Sequence, residues 1–402
     1  MKSDAPHPGS SRVLTPRRAE PADSVRPTRA EILLGNLRHN LLALSRSAAV
    51  PVWSVLKADA YGHGSKAVAR TLERAGSAGM CVALIEEGIE LREAGIMAPI
   101  LILGGHYGNA WAELIRHRLT PVISRLDQLS SLAEEVRFSG GPALPVHVKI
   151  DTGMARLGVP LSELEPFARA LVRLPEVSLD GVMTHFACAE SDGDSVRQQL
   201  DLFDQGCSVL SAHGLPVRRR HAANTAATLV HARARLDMVR PGIGLFGMAP
   251  GVVPRDGGAD VAAALKPVMR VRTEIVALRT LAPGASVGYG ATFRAKRQSR
   301  VATIAMGYGD GLSRALSNRG QVLVRGRRAP IIGSVSMDMT SVDVSDIPGA
   351  EIGDEVVVLG SQRGPLGEGT LTAEEIAAQC GTIAWEVLTA VSRRVPRFYR
   401  EG

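Results

Sequence analysis

Eight short apolar runs alternate with helical patterns between residues 52 and 240, and this alternation constrains the fold of the chain more than any other feature. The runs are 52–57, 80–84, 99–103, 120–123, 145–150, 178–185, 217–222 and 237–240. Helical patterns lie between them at 65–74, 85–94, 109–117, 126–137, 162–173 and 195–213, with Ser65 placed to cap the first. Short apolar strands that alternate with helices predict a parallel sheet wrapped by helices. Eight of them over ~220 residues favour a closed (β/α)8 TIM barrel, with a doubly wound open sheet as the alternative. No GxGxxG follows the first run, which counts against a dinucleotide-binding fold.

After about residue 250 the pattern changes. Gly251-Val-Val-Pro-Arg-Asp-Gly-Gly reads as a linker, and β-type runs follow at 267–281, 300–306, 321–325, 329–335, 339–344 and 355–359. Two helical stretches, 372–379 and 382–390, precede the C-terminus. The prediction is therefore an α/β chain in three parts. Residues 1–27, with five prolines and little periodicity, form a disordered tail; 28–250 form the barrel; 251–402 form a mostly β C-terminal domain.

Composition narrows the function classes. The net charge of +7 is spread along the chain without a basic block interleaved with aromatics, so no nucleic-acid partner is expected. No apolar run reaches the ~18 residues that span a membrane, and without an apolar h-region near residue 1 no signal peptide is expected. The four cysteines are scattered without a CxxC pair, which argues against structural zinc and disulfides and fits a reducing cytoplasm. No metal site is expected.

Of the 47 basic residues only six are lysines, at 2, 57, 66, 149, 266 and 296. Lys57 ends the first apolar run, in Val55-Leu-Lys-Ala-Asp-Ala-Tyr-Gly-His-Gly64. Arg cannot lose its proton near neutral pH, whereas Lys can when its surroundings favour the neutral amine. A nucleophile for a carbonyl compound, or a proton acceptor, therefore has to be Lys. The alternative is a lysine that snorkels from a strand end.

A barrel places its chemistry at the carboxyl ends of the strands, with phosphate held after strands seven and eight. The polar residues follow that rule. Lys57 ends the first strand, and Lys149, Asp151, Thr152, Met154 and Arg156 follow the fifth. Thr184 and His185 end the sixth, His221, Asn224 and Thr225 follow the seventh, and Arg240, Gly242 and Gly244 follow the eighth. Hydroxyls and backbone N–H groups at 224–225 and 240–244 suit a phosphate. A Schiff-base lysine and a phosphate site in one barrel mouth point to pyridoxal 5′-phosphate.

From about residue 28 onward the sequence resembles the alanine racemases, pyridoxal-phosphate enzymes of the barrel class. The matching motifs are the Lys57–Tyr61 stretch, Val-Lys149-Ile-Asp-Thr-Gly-Met-Ala-Arg156, Met-Thr-His185-Phe, His221-Ala-Ala-Asn224-Thr225 and Val-Arg240-Pro-Gly242-Ile243-Gly. They continue with Val-Gly-Tyr289-Gly, Val-Ser-Met337-Asp338 and the closing Arg-Val-Pro-Arg-Phe-Tyr. The resemblance implies interconversion of L- and D-alanine by two bases, a homodimer with shared active sites, and supply of D-alanine for peptidoglycan precursors.

It also implies residue roles. Lys57 carries the cofactor and is the base on the D face; Tyr289, from the partner subunit, is the base on the L face. Tyr ordinarily ionises near ~10, so that role calls for positive charge or hydrogen bonds around it. Arg240 faces the pyridine nitrogen and keeps it unprotonated, with His185 as a tuning group behind it or near the tyrosine. Tyr61, Asn224, Thr225, Gly242 and Ile243 hold the cofactor. Arg156, Met337 and Asp338 contact substrate, and Lys149 is the position that can be carbamylated, with a pair to Asp151 as the alternative.

The chain departs from the family pattern at Trp385, where a Tyr is frequent, and at Ser336, where a Cys is frequent; Thr225 keeps the hydroxyl of a frequent Ser. Rival readings are a racemase of serine, lysine or arginine, a decarboxylase of the same barrel class, and a non-catalytic pyridoxal-phosphate carrier. The decarboxylases use a Gly-rich phosphate loop and a reactive Cys that are not evident here. Known carriers of this fold are single barrels, which leaves the β domain unexplained.

Overall fold

The protein is represented by a computed structural model in which residues 25–105, 108, 110–191, 193–249, 251 and 258–401 are described. Most of the tail predicted for 1–27, and the linker residues 252–257, fall outside the described residues.

Seven parallel strands follow one another around a sheet: Trp53–Val55, Gly79–Val82, Ile100–Ile102, Thr120–Ile123, Leu144–Asp151, Val177–Met183 and Arg220–His221. The eighth apolar run is reduced to a single bridge, Val239 with Val52, because Pro241 has no N–H to extend the ladder. The bridge still closes the ring. Trp53 N–H donates to Val239 O at 2.9 Å and Val55 N–H to Pro241 O at 3.0 Å, while on the other side Arg240 N–H donates to Ala223 O at 2.9 Å. The closed barrel is thus the fold, and the open sheet is excluded.

Helices cover the outside close to the predicted bounds: Ser65–Arg74, Ile85–Glu93, Trp111–Arg116, Leu126–Ser139, Leu161–Val172 and Gly193–Ala212. Each turns an apolar stripe inward; in Leu126–Ser139 it is Leu129, Leu132, Ala133 and Val136. The expected Ser65 cap is not formed. Ser65 is the first helical residue, and its N–H is held by Asp59 Oδ1 at 2.7 Å. A helix at Leu34–Ala48, absent from the predicted set, buries Leu34, Leu37, Leu41 and Leu44 at helical spacing.

A second, nine-stranded sheet is built mainly from Met269–Leu281, Ser299–Ile304, Gln321–Val324, Arg327–Ile332, Thr340–Asp343, Glu355–Gly364 and Gly367–Leu371. Most of its pairings are antiparallel, so hairpins and short loops connect it. The helices Ala373–Cys380 and Ala384–Thr389 follow.

One strand departs from the expected division at residue 28. Arg29–Leu33 pairs antiparallel with Met269–Arg272 and parallel with Arg397–Arg400, so the start of the barrel segment is a strand of the second sheet. Its alternating burial suits a sheet with one face covered. Glu31 fixes the register through Arg270 at 2.9 Å and Arg272 at 3.1 Å. Among the described residues no helix is long and apolar enough to cross a membrane.

Candidate active site

Lys57 opens a strained turn at the end of the first barrel strand. Ala58, Asp59, Ala60 and Tyr61 all adopt left-handed backbone angles, with φ of 53° to 54°. Each such residue costs ~1–2 kcal/mol relative to the right-handed form. Local hydrogen bonds offset the strain. Ala58 N–H donates to Glu87 Oε1 at 2.6 Å, Ala60 N–H to Leu56 O at 2.8 Å, and Gly64 N–H to Asp59 O at 3.0 Å. Arg397, from the second sheet, donates through Nε to Gly62 O at 3.0 Å. Gly62, at φ 79°, admits Leu388 O, which would lie 2.4 Å from an added Cβ. The turn aims Lys57 into the barrel mouth and buries Tyr61 against Phe246, ring centroids 5.1 Å apart.

A cavity of about 830 Å³ fills that mouth. It collects Lys57, Tyr61, Arg156, His185, Asn224, Thr225, Arg240, Gly242 and Ile243 from five separate parts of the barrel sequence. The helix Ala384–Thr389 and the residue before it add Ile383, Trp385, Glu386 and Thr389 to the wall. Sequence reasoning left out the lining residues Ile383, Thr389 and Glu190, and also Glu87, which holds the turn. None carries a local sequence signal; they reach the site only through folding.

The cavity is cationic. Partial burial pushes the Lys57 amine down from its usual value, and the Arg156 guanidinium adds to the shift. Both effects favour the neutral form that a nucleophile needs. Lys149 is 4% exposed, and burial, then Arg156 and Arg240, lower it to about 8. Asp151, its partner in the alternative reading, accepts from the Gly153 and Ala155 N–H groups, both at 3.1 Å. His185 is lowered to about 3 by burial, followed by the charges of Arg240, Lys149, Arg156 and Lys57, so it is a neutral imidazole.

Arg240 is 3% exposed and lowered by burial to about 10, so it remains a cation at neutral pH. Its Nη2 donates to Thr184 O at 2.9 Å and Ala222 O at 3.2 Å, and its Nη1 to His221 Nδ1. The histidine behind Arg240 is therefore His221, not His185, which lines the cavity instead. Beside it, Thr225 Oγ1 accepts from Gly242 and Gly244 N–H, both at 3.1 Å. Gly242 lacks a Cβ because one would sit 2.2 Å from the Tyr61 hydroxyl. Two hydroxyls and this run of backbone N–H groups thus stand within one corner.

Three expected site residues are elsewhere in the chain. Tyr289 is 77% exposed, in a hairpin closed by Ser286–Val287 and Phe293–Arg294. With Gly288, Ser334, Ser336 and Met339 it lines a separate hollow of about 370 Å³. Met337 is 51% exposed, and Asp338 is held by Arg394 at 2.6 Å. Arg394 also reaches buried Asp310 at 3.4 Å, and Asp310 is clasped by Arg26 at 2.8 Å.

The comparisons agree with this architecture. The family profile described as "Alanine racemase, N-terminal domain" matches residues 32–250, and "Alanine racemase, C-terminal domain" matches 268–399. An alanine racemase of Sorangium cellulosum is 57% identical over 385 residues, which cover 94% of this chain and 100% of that protein. One from Syntrophobacter fumaroxidans is 43% identical over 378 residues, covering 92% and 97%. Among solved structures, the alanine racemase from Streptomyces coelicolor A3(2) superposes with a TM-score of 0.86 at 33% identity, covering 95% of this chain and 100% of that one. The Bacillus anthracis alanine racemase with bound L-Ala-P gives 0.85 at 30% identity, covering 94% and 96%. With both domain profiles matched and such identity over nearly its whole length, the chain belongs to the alanine racemase family.

Proposed function

We propose that this chain interconverts L- and D-alanine, with pyridoxal 5′-phosphate in the barrel cavity and one base on each face of the substrate. The observation that carries the reading is the convergence of Lys57, Arg240 and the Tyr61–Thr225–Gly242 corner in one cationic cavity. Their chemistry fits the cofactor. Lys57 would hold its aldehyde carbon, Arg240 would face its ring nitrogen, and Tyr61, Asn224, Thr225, Gly242 and Ile243 would hold its phosphate end. When bound, pyridoxal phosphate supplies an electron-withdrawing ring that acidifies the α-C–H of an amino acid joined to it.

The chain's own residues then move protons. Lys57 Nζ, neutral once displaced by the substrate amine, takes or returns the α-proton on the D face. Tyr289 of the partner subunit takes or returns it on the L face, and a base on each side is what inverts the centre. Arg240 holds its proton tightly, so it would donate a hydrogen bond to the ring nitrogen without protonating it, which would favour return of a proton at Cα. Arg156, with the partner's Met337 and Asp338, would orient the carboxylate. Exposure of Tyr289, Met337 and Met339 on one face supports a homodimer in which that face closes the neighbouring barrel.

Alanine incubated with the enzyme in D₂O tests this reading. L-alanine is expected to lose optical rotation while deuterium enters at Cα. Loss of neither, with cofactor bound, would reject it; exchange with serine, lysine or arginine but not alanine would change the substrate alone.

Lys149 is proposed to be carbamylated: its neutral amine adds CO₂ and releases one proton, and the resulting anion holds Arg156. An amine lowered to about 8 is substantially neutral at pH 8. With ¹³CO₂ at that pH, a carbamate carbon signal is expected that Lys149→Ala lacks; an identical spectrum in the two proteins would reject the modification.

A further inference from the structure

Behind Arg240 a file of polar side chains crosses the barrel interior. His221 Nδ1 accepts from Arg240 Nη1, and an arginine can only donate, so His221 carries its proton on Nε2. That nitrogen lies 2.7 Å from His147 Nδ1, which must therefore accept. The His147 proton is then on Nε2, which lies 3.4 Å from Asp180 Oδ2 but forms no well-aligned hydrogen bond with it. Asp180 in turn is paired with Arg219, whose side chain is half exposed at the opposite end of the strands. The Arg240 donor assignment fixes both histidine tautomers.

The backbone is shaped to build it. Val146 pairs with Leu179 but His147 pairs with Gly181, so Asp180 is an extra residue in its strand, a bulge of the kind that re-aims a side chain. Gly181 makes room for the imidazole: an added Cβ would lie 2.7 Å from the His147 ring. Both histidines are fully buried, and burial lowers their pKa values, so both are neutral as the donor pattern requires. A hydrophobic barrel centre would need none of this, and buried polar groups are costly unless satisfied.

We propose that His221, His147 and Asp180 are positioning residues that form a through-barrel wire, which fixes the histidine tautomers and so orients the Arg240 guanidinium at the mouth. The wire rests on the reading of Arg240 as the partner of the cofactor's ring nitrogen. It makes Asp180, remote from the substrate, a determinant of turnover rather than of binding.

Two measurements test it on the full-length, cofactor-loaded enzyme. Selective ¹⁵N labelling of histidine should show His221 and His147 both protonated at Nε2 and bare at Nδ1. A proton on Nδ1 of either, or a doubly protonated ring, would overturn the wire. In kinetics, Asp180→Asn keeps the shape and removes the charge. It should lower kcat by about tenfold with KM nearly unchanged, as for other outer-shell partners, and the loss should shrink to about twofold or less in an Arg240→Lys background. Equal losses in both backgrounds would make Asp180 merely structural and overturn the proposal. Should Asp180→Asn not fold, the wild-type histidine spectrum decides alone. A wild-type enzyme that shows the expected tautomers but racemises nothing would reject the reading of the site and leave the wire; the reverse result would reject only the wire.

Discussion

Lys57→Ala is expected to remove the covalent attachment of cofactor and to lower racemisation by about 10⁴-fold, the upper range for loss of a positioned base. The two effects share a cause. Among the described residues Lys57 is the only lysine in the cavity wall, and its depressed pKa favours the neutral amine that attachment requires. The other cations that line the cavity, Arg156 and Arg240, are arginines, which do not serve as amine nucleophiles. Borohydride reduction followed by peptide mass analysis should place the cofactor's mass on the Lys57 peptide of the wild type and nowhere on the variant. The variant should still fold, because the strained turn is held by Glu87, Asp59 and Arg397 rather than by the lysine. Retained activity and retained attachment would remove Lys57 from the mechanism.

Tyr289→Phe has the second largest expected effect and a different signature. Cofactor should remain bound, because the barrel and the helix Ala384–Thr389 of the same chain line the cofactor cavity and Tyr289 is not among the lining residues. Net racemisation should fall by about 10²- to 10⁴-fold, as for removal of one positioned acid–base group. The two enantiomers are equal in free energy, so kcat/KM must fall equally in both directions. The asymmetry appears in exchange with solvent. D-alanine should still exchange its α-proton for deuterium through Lys57 without inverting, whereas L-alanine should not. Equal exchange of both enantiomers would show that Tyr289 is not the base on the L face.

The barrel was legible in the sequence because strands covered on both sides are continuously apolar. The eight runs therefore stood out, and even the eighth, reduced to the Val239 bridge, was marked. The strand Arg29–Leu33 was not assigned to its sheet, since its partners lie more than 200 residues away and pairing leaves no local trace. The Lys57 turn was recognised as chemistry but not as a left-handed turn, for nothing in Ala-Asp-Ala-Tyr favours that conformation; its cost is met by distant groups such as Glu87 and Arg397. Ser65 read as a cap, yet Asp59 performs that task once the turn folds back. His221 was noted at a strand end, but the place behind Arg240 was offered to His185, with a place near the tyrosine as the alternative, because sequence order alone does not say which of two barrel histidines stands behind the arginine. The family resemblance pointed to Tyr289, Met337 and Asp338, whose proposed use requires a second subunit.

Mixing Lys57→Ala with Tyr289→Phe tests the shared two-base site most directly. Each variant alone has a lesion in both sites of its dimer. In a hybrid dimer one site takes both lesions and the other takes none. After dissociation and random reassociation about half the dimers should be hybrids, with one intact site of two, so racemisation should recover to about a quarter of the wild-type rate. No recovery, with hybrid formation verified by differently tagged chains, would contradict an active site made from Lys57 of one subunit and Tyr289 of the other.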